Sequence, residues 1–310
     1  MSERVCVIVN PAAGRGRGAR ELPGVTAAFA TVGITDIRTT QKREDEQAIA
    51  RRAIDEGATT LVAVGGDGTW GNVANAILAS GAGNGVRLAL VAAGTGNDFA
   101  KTAGCPATDV EATARLVAEG AETRVDVGRI EDHFFLNITG FGFDVAVLED
   151  ILKIKWVKGE ALYLYSALRQ LTSYPGVEID VASAAKQRGS SRHLMLVIAN
   201  AKNFGGKFRI APEASLTDGC LDAVAILDAS TWRRVNLFGA VARGTHHTLS
   251  EVIIEQAPSF TVQFSGPPAY ETDGEYRQAK TAELEIACVP GALRLVAPAP
   301  PQAPSQAPQE

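Results

Sequence analysis

Residues 64–77 read VGGDGTWGNVANAI and place Asp67 among three glycines, directly after an apolar run. The run TTLVAVGG (59–66) predicts a buried β-strand, and NVANAILAS (72–80) is typical of a helix. Glycine lets the backbone approach a ligand closely and aim successive N–H groups at it. The stretch therefore predicts a strand, a turn that can hold an anion, and a helix, with one carboxylate beside the anion.

Strand and helix patterns alternate in the same way through about the first 125 residues. The strand patterns are at 4–10, 35–40, 59–66 and 86–94. Such alternation predicts a parallel sheet covered by helices, which is an α/β fold.

The character of the sequence changes near residue 127, where the runs become short, alternating and interrupted by glycine. This pattern predicts a β-rich second domain of antiparallel strands, with helices at about 146–173 and 230–247. The predicted division is an α/β domain at 1–127, a β-rich domain at 128–291, a last strand at 292–298 that can return to the first domain, and a disordered Pro- and Ala-rich tail at 299–310.

Composition narrows the class of protein. Of the 310 residues, 46% are hydrophobic and 21% charged, which is typical of a well-packed globular chain. A net charge of -5 argues against a general nucleic-acid-binding surface, so no nucleic-acid partner is expected. No apolar stretch reaches the roughly 18 residues of a membrane span, and no signal-peptide pattern opens the chain, so we expect a cytoplasmic location. Four widely spaced cysteines predict free thiols.

Three predicted strand ends carry small-residue loops, namely NPAAGRGRG (10–18), GGDGT (65–69) and GTGND (94–98). Ligands of open α/β sheets bind beyond the carboxyl ends of the strands, so the three loops are expected to meet. Each loop alone could be an ordinary turn, but three converging loops predict a phosphate site. Neither the GxGxxG nor the GxxxxGK[ST] fingerprint occurs, which argues against an ordinary dinucleotide-binding dehydrogenase.

Aspartates accompany these loops. Mg²⁺ binds few carboxylates, keeps several waters and bridges phosphate oxygens. Asp67, with Asp98 and Asp126, is therefore expected to hold Mg²⁺ directly or through water. A helix cap is the alternative role for Asp98, because it precedes a helical pattern.

Five segments, NPAAG, GGDGT, GTGNDFA, APEASLTDGCLD and ETDGE, occur in the order found in the diacylglycerol kinase catalytic-domain family, which the sequence resembles over residues 4–297. GGDGT alone is shared with NAD kinases. The resemblance implies an NAD-kinase-like nucleotide-binding domain followed by a β-sandwich-like domain, with the active site between them.

The resemblance also implies roles for individual residues. The ATP site would be lined by Asn10, Pro11, Ala12, Ala13, Gly14, Thr40, Gly65, Gly66, Asp67, Gly68, Thr69, Asn72 and Thr95. In the DGE turn (273–275), Asp273 would complete the carboxylate network with Asp67, Asp98 and Asp126. Glu275 would accept the proton of the lipid hydroxyl. A structural Mg²⁺ would bind the side chain of Asp218 and the carbonyl groups of Ser215 and Cys220. Without the resemblance, YETDGEY (270–276) would be interpreted as a plain hairpin.

One position departs from the family pattern. After GGDGT the family usually has an apolar residue, then Asn and Glu, whereas this chain has Trp70, Gly71 and Asn72. A neutral amide therefore replaces the glutamate and brings no charge to the metal or nucleotide.

Two segments combine basic and aromatic residues in a way that fits an anionic membrane surface. In 151–176, Lys153, Lys155 and Lys158 surround Trp156, and 231–247 contains Trp232 followed by arginines. The alternative for both is a helix packed on the second domain with a solvated basic face.

The predicted function is an ATP- and Mg²⁺-dependent lipid kinase that phosphorylates a lipid hydroxyl, with diacylglycerol as the expected substrate. The partner is then a membrane lipid reached by peripheral contact, and the sequence leaves a homodimer open. Three alternatives stay open: an NAD kinase, a non-catalytic nucleotide-binding protein, and a membrane-associated scaffold.

Overall fold

The computed structural model describes residues 3–42, 44–153, 160–206 and 208–298. Its N-terminal part alternates strands and helices in the order β1 (Val5–Val9), α1 (Ala13–Thr31), β2 (Ile37–Thr39), α2 (Asp45–Asp55), β3 (Thr60–Gly65), α3 (Asp67–Ala79), β4 (Arg87–Ala92), α4 (Asp98–Ala103) and α5 (Val110–Glu119). The strands pair in parallel in the order β2-β1-β3-β4. Every residue of β3 and β4 is buried, because helices cover both faces of the sheet.

The C-terminal part is rich in antiparallel strands. Its elements are β5 (Thr123–Ile130), β6 (His133–Phe135), β7 (Ile138–Gly142), α6 (Phe143–Lys153), α7 (Glu160–Ser173), β8 (Val177–Ser183), β9 (Gln187–Ala199), β10 (Leu221–Leu227), α8 (Thr231–Arg243), β11 (Val252–Ala257), β12 (Ser259–Gln263), β13 (Ala269–Thr272), β14 (Glu275–Gln278) and β15 (Glu283–Leu295). All recorded pairings among β5–β14 are antiparallel. The predicted class, a parallel α/β part followed by a β-rich part, is confirmed.

Strand β15 connects the two parts. Its first half pairs with β12 and β5, the register shifts between Val289 and Leu293, and its end pairs in parallel with β4 through Arg294 and Leu295. Leu293 and Leu295 are fully buried in the core of the N-terminal part. The sequence patterns at 282–289 and 292–298 therefore belong to one continuous strand, and its end does return to the first sheet.

Several sequence expectations change in detail. The helix expected at 146–173 corresponds to α6 and α7, and residues 154–159 between them lie outside the described residues, as does the tail 299–310. Helix α5, with Asp109 accepting the N–H of Ala112 as its N-cap, was not predicted, and neither was β11. Strands β13 and β14 form the hairpin that the sequence offered for 270–276 as an alternative interpretation. Within the described ranges, no helix is long and apolar enough to cross a membrane.

Replacing Leu295 by alanine tests the connection made by β15. The side chain is fully buried in the first core, so we expect Leu295→Ala to lower the free energy of unfolding by about 2–5 kcal/mol. Leu168→Ala, on the exposed face of α7, is the matched control and should change stability by less than about 0.5 kcal/mol. Urea unfolding followed by far-UV circular dichroism measures both. Equal, small effects would mean that the end of β15 does not contribute to this core.

Candidate active site

The three glycine-rich loops meet at the carboxyl ends of β1, β3 and β4. A Cβ atom added to Gly94 would lie 2.4 Å from the Cα of Gly66, and one added to Gly14 would lie 2.1 Å from the carbonyl oxygen of Ala93. Backbone therefore packs directly on backbone at both contacts, and any side chain would force the loops apart. The convergence expected from the sequence is present.

The first loop also explains why α1 begins irregularly. Gly14, Arg15 and Gly16 have φ values of 56°, 58° and 86°, in the left-handed region, so regular helical geometry begins only after them. A hydrogen bond just after the end of β1 stabilises the loop, because the carboxamide oxygen of Asn10 accepts the N–H of Ala12 at 3.0 Å. Asn10 thus fixes the turn at the edge of the sheet.

A cleft of about 630 Å³ opens over these loops. The predicted residues that line it are Asn10, Pro11, Ala12, Ala13, Gly14, Thr40, Gly66, Gly68, Thr69, Asn72 and Glu275. The lining residues that the sequence did not single out are Gln41, Lys42, Glu44, Glu46 and Gly94. Because Glu275 comes from the C-terminal part and the rest from the N-terminal part, the cleft lies between the two. Gly65 and Asp67 are not among the lining residues, and Thr95 is exposed on its loop.

Asp67 and Asp98 lie together at the starts of α3 and α4. One oxygen of each lies within 3.3 Å of the position that a Cβ on Gly96 would occupy. Asp67 Oδ1 accepts the N–H of Phe99 at 3.0 Å. A side chain from α3 thus provides the hydrogen-bond acceptor for an N–H group in the first turn of α4. Burial, together with the nearby charge of Asp98, raises the pKa of Asp67.

Among the described residues, the side chain of Asp98 accepts no backbone N–H group of α4, so it does not cap its own helix. It is 4% exposed, accepts Lys101 Nζ at 2.9 Å, and accepts the N–H of Gly206 at 2.6 Å. Asp98 therefore ties α4 to the loop at 204–206 of the C-terminal part, beside Asp67.

Asp273 sits at the tip of the β13–β14 hairpin with left-handed backbone, at φ 50°. Its Oδ1 accepts the N–H groups of Asn137 and Ile138 at 2.8 and 3.1 Å, and its Oδ2 accepts that of Leu136 at 2.8 Å. Burial raises the pKa of Asp273 to about 6, although these three N–H groups oppose the shift. Asp273 thus anchors the DGE turn to the segment before β7, and it lies within electrostatic range of Asp67.

Asp126 is grouped with a different loop. Its Oδ2 accepts the N–H of Gly219 and its Oδ1 that of Gly291, each at 2.7 Å. Both carboxylate oxygens therefore clamp the 215–220 loop to β15, instead of joining Asp67 and Asp98 as expected. Asp67 and Asp98 thus lie together at the starts of α3 and α4, with Asp273 within electrostatic range of Asp67, whereas Asp126 binds a separate loop.

The predicted structural Mg²⁺ at Ser215, Asp218 and Cys220 stays a prediction. Asp218 Oδ1 accepts the N–H of Cys220 at 3.0 Å, and its Oδ2 accepts Gln256 Nε2 at 2.9 Å. Over the described ranges, no group of three or more His, Cys, Asp or Glu side chains is placed to hold a metal ion.

Comparison with known proteins assigns the family. Residues 4–130 match the family model "Diacylglycerol kinase catalytic domain", and residues 137–297 match "YegS C-terminal NAD kinase beta sandwich-like domain". The chain belongs to the diacylglycerol kinase family. The order of the two matched regions is the order of the parallel and antiparallel parts described above.

Individual relatives agree with the family assignment, and solved structures agree with the fold. The diacylglycerol kinase of Mycobacterium tuberculosis H37Rv is 26% identical over 95% of both chains. That of Bacillus subtilis 168 is 28% identical over 88% of this chain and 90% of its own. A diacylglycerol kinase structure from Bacillus anthracis superposes with a TM-score of 0.71 at 18% identity, covering 95% of this chain and 97% of that one. An ATP complex of the Archaeoglobus fulgidus NAD kinase reaches 0.51 at 11% identity, covering 92% and 90%.

This diacylglycerol kinase family chain also contains a buried acid pair that the sequence did not reveal. Glu271 of β13 pairs with Gly140 of β7, and it is 1% exposed. Asp144, at the start of α6, places its Oδ2 1.9 Å from the position of a Cβ on Gly140, so its carboxyl group fills the space of the missing side chain. Glu271 Oε2 accepts the N–H of Gly274 at 2.6 Å and so supports the DGE turn.

The remaining oxygens of this pair, Glu271 Oε1 and Asp144 Oδ2, are buried without a hydrogen-bond partner among the described residues. Burial raises the pKa of Asp144 to about 7. Burial and the neighbouring charge of Asp144 raise the pKa of Glu271 well above its usual value. Both shifts favour a protonated pair, because two ionised carboxylates in this buried space would repel each other.

The acid pair predicts how stability depends on pH. The folded protein keeps on Asp144 a proton that the unfolded chain releases near pH 3.8, so stability falls as pH rises from about 4 through about 7. Asp144→Asn removes this titration and should flatten the decline between pH 5 and 8 by a few kcal/mol at most. Thermal unfolding at both pH values measures it. Asp55→Asn, an exposed residue at the end of α2, should keep the wild-type slope. An unchanged slope in Asp144→Asn would show that Asp144 is ionised in the folded protein.

Proposed function

We propose that the protein is an ATP- and Mg²⁺-dependent lipid kinase that transfers the γ-phosphoryl group to the hydroxyl of diacylglycerol and forms phosphatidic acid. One observation carries the proposal. Glu275 of the DGE hairpin lines the same cleft as the glycine-rich loops around Gly14 and Gly68, so a carboxylate from one domain faces a phosphate-type cradle on the other.

The residues at the cleft fit a nucleotide and its metal ion. The loops at Gly14, Gly66 and Gly94 admit only backbone at their contacts, as close approach to phosphates requires. Asp67 and Asp98 would hold Mg²⁺, because a cation would relieve the electrostatic cost of two adjacent, largely buried carboxylates. When bound, Mg²⁺ would neutralise charge on the phosphate oxygens.

Phosphoryl transfer needs positioning and charge neutralisation more than covalent assistance from the protein. Glu275 would accept the proton of the lipid hydroxyl as the hydroxyl oxygen attacks the γ-phosphorus of ATP. Asp273 would act through Glu275, because its three backbone hydrogen bonds fix the turn that carries the glutamate. Lys101, paired with Asp98, would keep α4 in place beside Asp67.

The acceptor is a membrane lipid, and we propose that α7 and α8 dock on the bilayer. Among the described residues, the apolar side chains exposed on these helices are Tyr165, Leu168, Trp232 and Val235. Arg234 joins the two helices, because its Nη1 donates to the carbonyl oxygens of Leu171 and Tyr174 at 3.2 and 2.8 Å. The four apolar side chains therefore belong to one pair of packed helices.

The same two helices and the end of α6 also carry exposed cations, as contact with an anionic lipid surface requires. The side chains of Lys153, Arg169 and Arg233 are 71%, 53% and 46% exposed, each beside a carboxylate that partly offsets its charge. The indole of Trp232 is 86% exposed, an unusual position for a large aromatic side chain. Lys155, Trp156 and Lys158, which the sequence also suggested for membrane contact, lie outside the described residues.

Substituting Glu275 tests the chemistry. We expect Glu275→Gln to lower kcat for diacylglycerol phosphorylation by about 10²–10⁴-fold, because the proton acceptor is lost while the shape is kept. Transfer of labelled phosphate from ATP in mixed micelles with Mg²⁺ measures it, and Glu283→Gln, an exposed residue of β15, is the control.

The acceptor panel decides among the alternatives. It contains diacylglycerol, ceramide, sphingosine, phosphatidylglycerol and NAD. Product from diacylglycerol that disappears in Glu275→Gln supports the proposal. Transfer to NAD alone would assign an NAD kinase. ATP binding without transfer to any acceptor would assign a non-catalytic nucleotide-binding protein.

Substituting Trp232 tests the docking surface. We expect Trp232→Ala to weaken binding to vesicles containing phosphatidylglycerol about tenfold, because an inserted indole loses its apolar contact with lipid. Ile254→Ala, at an exposed apolar residue that belongs to β11 and to neither helix, is the control. Vesicle co-sedimentation at low and high salt measures both. Equal binding of the two variants would exclude α8 from the membrane contact.

A further inference from the structure

Glu46 is the most unusual residue of the cleft. It lies in the first turn of α2, lines the cleft and is 3% exposed. Its Oε1 accepts Asn10 Nδ2 at 2.8 Å and the hydroxyl of Thr69 at 3.4 Å. Asn10 Nδ2 also donates to Thr69 Oγ1 at 3.1 Å. One carboxylate therefore joins α2 to the first and second glycine-rich loops.

Burying a carboxylate is unfavourable unless donors surround it. Glu46 has the Asn10 and Thr69 donors, and it lies in the first turn of α2, as Thr69 lies in the first turn of α3, where helix dipoles favour negative charge. Its Oε2 is buried without a partner in the part of the chain that the structure describes. An apolar side chain could fill the same space without the desolvation penalty of a carboxylate. We therefore attribute to Glu46 a role beyond stability.

Asn72 of α3 lines the same cleft and brings a neutral amide to it. Its Oδ1 accepts Gln47 Nε2 at 3.1 Å, from the residue next to Glu46 on α2. Helix α3, which brings an amide to the cleft, is therefore in contact with α2, which brings the buried carboxylate.

We propose that Glu46 supplies from α2 a carboxylate to the cleft that Asn72 lines on α3, and that it positions Asn10 and Thr69 to bind the nucleotide. Glu46 is thus a positioning residue for the proposed kinase, and the inference rests on nucleotide binding in this cleft. On this account Glu46 provides the charge for nucleotide affinity that the amide of Asn72 does not.

A charge-return experiment tests this. The Kd for ATP is measured by isothermal titration calorimetry with Mg²⁺ and without lipid, for wild type, Glu46→Ala, and Glu46→Ala combined with Asn72→Glu. Loss of a charged hydrogen-bond acceptor should raise Kd about ten- to a hundredfold in Glu46→Ala. Returning the carboxylate to position 72 should recover most of that loss. Asp55→Asn, at the exposed end of the same helix, should bind as wild type.

The readouts separate positioning from structure. Urea unfolding of each variant shows whether the recovery in Kd is more than a recovery in stability, and Glu46→Gln, which keeps one acceptor oxygen, should lie between wild type and Glu46→Ala. In the lipid assay, Glu46→Ala should raise KM for ATP much more than it lowers kcat.

Three results would overturn the inference: wild-type affinity in Glu46→Ala, tighter ATP binding in Glu46→Ala, or no recovery in the double variant. If wild type binds ATP but phosphorylates no lipid, the proposed function fails while the Glu46 inference is still decided by Kd. If wild type phosphorylates lipid and Glu46→Ala binds ATP normally, only the Glu46 inference fails.

Discussion

Backbone-to-backbone packing of the glycine-rich loops is the constraint on which the site depends. Gly14 lies against the carbonyl group of Ala93, and Gly66 lies against Gly94, with no room for a Cβ at either contact. This packing brings the ends of three parallel strands to one edge. It also sets the starting points of α3 and α4, and so the positions of Asp67 and Asp98. The positions of these two carboxylates therefore depend on the glycines, since no other residue type permits the same spacing of the loops.

The second domain completes the site through hydrogen bonds made by carboxylates to backbone. Asp273 binds three N–H groups before β7, Glu271 holds the N–H of Gly274, and Asp98 holds that of Gly206. The bonds of Asp273 and Asp98 join segments that are distant in the chain, and that of Glu271 stabilises the turn itself. The acidic residues of this site therefore have two different roles. Most of them organise the loops, and Glu275 lines the cleft itself.

The fold and the cleft were largely predictable from the sequence, whereas the use of individual acids was not. Buried parallel strands are continuous apolar runs and glycine loops mark their ends, so β3, β4 and the convergence of the loops could be foreseen. Asp126 lies within β5, and only the three-dimensional path of β15 shows that it clamps Gly219 and Gly291. Glu46 looked like an ordinary acid in the first turn of a helix. The pair of Asp144 and Glu271 depends on the absence of a side chain at Gly140, which no local pattern reports.

The return of β15 to β4 affects how the chain can be synthesised and folded. Until residues 294 and 295 have emerged from the ribosome, β4 has an open edge on the side that β15 later occupies. An unpaired edge of this kind is prone to wrong pairings, and contacts between residues about 200 positions apart form slowly. The N-terminal part, although it contains most of the cleft, therefore cannot complete its sheet before β15 has been synthesised. A fragment that ends before β15 would expose the edge that the full chain protects.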